Sequence, residues 1–123
     1  TKPKPGHRPP PRKDFKMEAI RILDLNEDQV EQFHRLVDDH NMIIRKTDMQ
    51  QRELLIPYFE SLSDTSIQID EEALLNRFQE SEKEKIIQTR QHFQKIKAML
   101  NESQMDNFEV FIEGFLGALF MRK

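Results

Sequence analysis

The chain has 123 residues, no cysteine, no tryptophan, three glycines and six prolines. That length suits one domain, and the missing cysteines exclude disulfide scaffolds, cysteine-based zinc sites and cysteine nucleophiles. Leu, Ile, Val and Phe make 34 of the 123 residues, above the share of roughly 20% below which chains usually stay disordered, so most of this one is expected to fold.

The formal net charge of −3 hides an asymmetry. Residues 1–13 carry Lys2, Lys4, Arg8, Arg12 and Lys13 and no acid. The remainder holds 14 basic and 22 acidic side chains, a net of −8, which argues against a nucleic-acid partner. Residues 1–13 also hold five of the six prolines and no apolar side chain outside them. Such a stretch cannot bury a core, and reads as a Pro-rich basic linker ahead of a helical domain over 14–123. No hydrophobic span occurs in the chain; a signal or anchor is expected, if anywhere, upstream of Thr1.

Between His7 and Glu113 there is no glycine, and Pro57 is the one proline after Pro11. Glu, Gln, Lys, Leu and Ile dominate this stretch, and alternating or Asn-Gly signals are absent, so the fold class is all-α. Four helices are expected. The first runs from about Asp14 to Leu23, with Phe15, Ala19, Ile22 and Leu23 on one face. The second starts at Asn26 and runs to about Ser61, with a seam of Val30, Phe33, Val37, Ile44, Leu54 and Tyr58. His40, Thr47 and Gln51 fill the same three-four rhythm. The third follows Asp70, has Glu71 and Glu72 in a first turn where the dipole favours acids, and runs to about Met99. Its seam is Leu75, Phe78, Ile86, Thr89, Phe93 and Ile96. The fourth starts at Asn101 and ends near Phe120. At 1.5 Å per residue the second helix would be about 50 Å long, too long for a compact bundle of this mass. A long antiparallel helical hairpin with short flanking helices fits better, with Pro57 as a candidate kink before the loop Ser63–Ile69.

Two segments align 75 residues apart: Leu25-Asn26-Glu27-Asp28-Gln29 with Leu100-Asn101-Glu102-Ser103-Gln104, and, further on, Phe33 with Phe108. Asn26 and Asn101 are strong helix N-caps. Gln29 and Gln104 sit where a side chain can return a bond to the cap's own backbone, completing a capping box. Leu25 with Val30, and Leu100 with Met105, have the spacing of hydrophobic staples.

This doubled Leu-Asn-Glu-x-Gln resembles the paired LTxxQ motif of the CpxP/Spy/CnrX/ZraP group of bacterial periplasmic stress proteins and metal sensors. Asn replaces the motif's Thr in both copies and keeps the capping role. The resemblance covers about residues 15–120, and a Pro-rich basic spacer before the first helix is similar to membrane-anchored members. It implies a hooked four-helix protomer that pairs into an elongated, cradle-shaped antiparallel homodimer. It also implies a protein client or a membrane signalling partner, and a periplasmic location with a tether to the inner membrane where one precedes this chain. The residues themselves support a partner at the last helix. Phe108, Val110, Phe111, Ile112, Phe115, Leu116, Leu119 and Phe120 are apolar over more than one face, so a dimer or partner surface is expected there.

No enzyme signature is present: no Gly-rich phosphate loop, no His-Glu-x-x-His, no serine in a glycine elbow. No cofactor is expected, a transition metal being the one candidate. The histidines are His7, His34, His40 and His92. His34 and His40 lack the i,i+4 spacing that shares a helical face. In a hairpin folded about residue 66, position i faces roughly 132 minus i, which sets His40 opposite His92. The expected role is therefore a non-enzymatic envelope-stress or metal-response domain acting through protein contacts. The alternatives are a periplasmic metal sensor using His40 and His92, and a cytoplasmic helical-hairpin dimerisation adaptor.

Overall fold

The computed structural model describes the backbone of residues 12–120 and the side chains of residues 15–120. The linker expected over residues 1–13 lies almost wholly outside the described residues. The described chain is all-helical: α1 (Arg12–Leu23), α2 (Glu27–Glu60), α3 (Glu71–Ala98), a 3₁₀ turn (Glu102–Gln104) and α4 (Met105–Phe120). The first helix begins at Arg12, two residues ahead of the expected Asp14. The fourth begins as a 3₁₀ turn because the Gln104 N–H bonds to the Asn101 carbonyl, three residues back, at 3.0 Å.

Helix ends follow local chemistry. α1 stops in a Schellman arrangement: Leu25 N–H bonds to Ile20 O and Asp24 N–H to Arg21 O, both at 3.2 Å. Asp24 takes the left-handed conformation (φ 55°) usually given to glycine, which a short polar side chain tolerates. Asp70 caps α3, its Oδ1 accepting from Ala73 N–H at 3.2 Å. In the connection between α2 and α3, Asp64 Oδ1 accepts from both the Ser66 N–H and hydroxyl; these bonds hold its carboxyl below the usual carboxylate range. α2 continues through Pro57 to Glu60.

The chain divides into two compact units, one Phe33–Ile96 and the other made of the chain on either side of it. In the flanking unit α1 packs against α4, and Ala19, Leu23 and Leu100 are buried. Phe15, expected on the same face, is 63% exposed.

Within Phe33–Ile96, contacts between α2 and α3 fall in reverse order along the two helices. His40 meets His92, Asp48 meets Lys85, Gln51 meets Ser81 and Tyr58 meets Glu71. Phe33 and Ile96 are buried here, and the other expected α2 seam residues of this unit, from Val37 to Tyr58, are buried or half-buried. On α3 the seam departs from expectation at one position: Ile86 is 70% exposed. Lys85 takes its place. Its Nζ bonds to Asp48 Oδ1 at 2.9 Å and Gln51 Oε1 at 3.1 Å, and its pKa is raised mainly by the Asp48 bond. The buried Gln51 donates to Ser81 Oγ at 2.8 Å and Glu82 Oε2 at 2.9 Å. A polar layer thus interrupts the apolar seam.

Candidate functional site

The two Asn-x-x-Gln motifs meet within the flanking unit. Each starts a helix, so each asparagine has a free first-turn amide that needs a partner. Asn26 N–H donates to Gln29 Oε1 at 3.0 Å, and Gln29 N–H donates back to Asn26 Oδ1 at 2.9 Å. This is a complete capping box. In the second copy Asn101 N–H donates to Gln104 Oε1 at 2.9 Å, while Asn101 Oδ1 accepts from the Ser103 hydroxyl at 2.6 Å.

A capping glutamine uses only its carbonyl oxygen, and its amide nitrogen carries two further donors. Both glutamines are buried, so those donors have to be satisfied. They are satisfied by each other. Gln29 Nε2 donates to Gln104 Oε1, and Gln104 Nε2 donates to Gln29 Oε1, each at 2.9 Å. The second donor of Gln29 goes to Met99 O at 2.9 Å, and that of Gln104 to Asp24 O at 2.8 Å and Leu23 O at 3.1 Å. Met99 and Asp24 each stand two residues before a cap asparagine, so the bonds repeat with the same 75-residue offset as the sequence. Among the described residues no buried side-chain nitrogen or oxygen lacks a partner.

The structure brings His40 and His92 together as a parallel stack, with centroids 4.3 Å apart and planes 7° apart. Burial lowers the pKa of His40. His92 is pushed down to about 4, first by burial and then by the positive charge of His40 and Lys95. An imidazole lone pair lies in the ring plane, so in this stack the lone pairs run side by side rather than converging. One ion about 2.1 Å from both nitrogens would require the rings to turn. Among the described residues, no group of three or more His, Asp or Glu side chains is placed to hold a metal. His34 packs beside Phe33 with centroids 6.4 Å apart, and His7 lies outside the described residues.

The expected partner surface on α4 is divided. Phe108, Phe111, Ile112 and Phe115 are half-buried, while Val110, Leu116, Leu119 and Phe120 are exposed. α1 against α4 covers part of a face that the sequence pattern leaves open.

The residue pattern alone missed a second apolar surface. Met42, Met49 and Ile56 on α2 are 59%, 54% and 46% exposed, and they recur at intervals of seven. Phe59 and Leu62 extend the stripe, at 60% and 82% exposed. Seven-residue spacing was the available signal.

No family model, curated protein or solved structure matches the chain. Among the described residues no helix is long and apolar enough to cross a membrane.

Proposed function

We propose that this chain is a non-enzymatic periplasmic domain of the LTxxQ type, serving envelope stress or metal response through protein contacts. The observation that carries the reading is the doubled motif joined by its two glutamines. Two cap motifs that shared only a helix-starting role would have no reason to share a hydrogen-bonded centre as well.

In this reading α2 and α3 form a long antiparallel hairpin, α1 and α4 form a flanking unit of their own, and two copies associate. The α2 stripe supports association: exposed apolar residues at heptad spacing favour a second helix. Arg45, Arg52 and Lys46 flank it together with Asp48, Glu53 and Glu60, so an antiparallel copy can offset charges of both signs. The partner is an unfolding client protein or a membrane signalling protein. A segment upstream of Thr1 would deliver the chain to the periplasm or tether it there. The metal-sensor reading draws on the closeness of His40 and His92, and it needs the rings to rotate and further ligands to come from elsewhere.

Light scattering by reduced, aggregating α-lactalbumin tests the proposal. The expected result is suppressed aggregation at near-stoichiometric protein, undiminished by a chelator. Tight zinc binding by calorimetry that His92→Ala abolishes would promote the sensor reading instead. Unchanged aggregation together with no zinc binding would overturn the client and sensor readings and leave a signalling protein as the partner.

A further inference from the structure

The histidine stack forms no part of the Gln29–Gln104 amide pair, and its surroundings are unusual for two basic groups. The rings come from different helices, α2 and α3, and lie face to face inside the Phe33–Ile96 unit. Beside them is a cavity of about 20 Å³, room for roughly one water. Its other walls are Leu36 and Ile43, which are apolar, Gln88 and Gln91, which are neutral, and two charged groups, Asp39 of α2 and Lys95 of α3. One acid and one base roughly cancel, leaving little net negative charge to stabilise imidazolium.

We propose that the His40–His92 stack is an acid-sensitive latch, closed while both rings are neutral and opened when both take up a proton. Neutral imidazoles stack as aromatic groups do. A first proton is tolerated over the neighbouring ring's face. A second places two like charges on rings 4.3 Å apart, beside Lys95, at a half-buried position where water screens them only in part. The rings then separate, α2 and α3 part at this level, and the half-buried Leu36 becomes exposed.

The direction follows from the titrations. Both histidines have folded-state pKa values below the ordinary 6.5, His92 down to about 4. The unfolded chain therefore binds more protons between those values. The stack's contribution is fully present above pH 6.5 and is lost as pH falls towards about 4. Because the rings interact, they titrate as a coupled pair.

The test uses the full chain and two measurements. In NMR titrations, the assigned His92 ring signals should have a midpoint well below 6.5, and His40→Gln should move it upward by removing the neighbouring charge. In hydrogen exchange, corrected protection of residues 36–43 and 88–95 should fall at least tenfold between pH 7 and pH 4.5, while residues 71–78 change less. His92→Phe, which keeps a ring in the stack, should reduce that fall to less than twofold. A His92 midpoint near 6.5, or the same loss of protection in His92→Phe, would overturn the proposal. If His92→Phe fails to fold, the wild-type titration and the His40→Gln shift decide by themselves.

Discussion

At the scale of single residues, Gln29 and Gln104 carry the most information. Each does three things with one amide: it caps its own helix start, bonds to the other glutamine, and donates to a backbone carbonyl next to the other motif. Removing one of them leaves a buried amide, an asparagine N–H and a carbonyl all short of a partner. Either Gln29→Leu or Gln104→Leu should therefore cost about 2–3 kcal/mol, the upper range for buried groups left unpaired. The double variant Gln29→Leu/Gln104→Leu should cost clearly less than the sum, since the second substitution strands no further side-chain amide. Urea unfolding of the four proteins measures the difference; strict additivity would mean that the two amides act independently. The caps were legible in the sequence because Asn followed three residues later by Gln is a local signal. The amide pair was not, because nothing local says that two donors 75 residues apart are buried in the same place.

At the scale of the element, the helices were read to within about two residues at each end, because caps and breakers are local. The interior of the α2–α3 seam was read less well. A three-four rhythm places Ile86 inward, but the polar layer of Gln51 and Lys85 takes that level and turns Ile86 outward. Hydrophobic periodicity cannot foresee that a lysine will be drawn in by Asp48 on the opposite helix. Pro57 is the other departure from pattern. It lies inside α2, where it removes one backbone hydrogen bond and crowds the preceding turn. Pro57→Ala restores the bond and gives back some unfolded-chain entropy. The net expectation is a gain of about 1–2 kcal/mol, less than the roughly 3 kcal/mol interior penalty. A thermal melt showing lower stability would mean that the proline's rigidity serves the following turn.

At the scale of the whole molecule, exposed apolar surface is what the fold leaves unexplained within one chain. The α4 face was visible in the sequence as a run of phenylalanines. The α2 stripe was not, because three apolar residues seven apart are diluted by the polar ones between them. If the stripe joins two copies, Met49→Glu with Ile56→Glu should convert a dimer to a monomer while leaving the helical circular dichroism signal unchanged. Sedimentation equilibrium at micromolar concentration reads this directly. A wild-type monomer would remove the dimer from the proposal, and a dimer that survives both substitutions would shift attention to Leu116 and Leu119.

The wide spacing of the two glutamines also bears on the order in which the molecule assembles. The α2–α3 contacts bridge 13 residues at Tyr58–Glu71, then 30 at Gln51–Ser81 and 37 at Asp48–Lys85; the amide pair bridges 75. Loop closure becomes costlier with length, by about 0.6 kcal/mol per doubling, so pairing should spread outward from the connection, with each contact shortening the free loop left for the next. The amides then join after the rate-limiting step. Gln29→Leu and Gln104→Leu should accordingly accelerate unfolding several-fold and leave the folding rate nearly unchanged. Stopped-flow chevrons would show one arm displaced, and a slowed refolding arm would place the glutamines in the nucleus instead. The motif most visible in the sequence would then govern how long the folded state lasts rather than how quickly it forms.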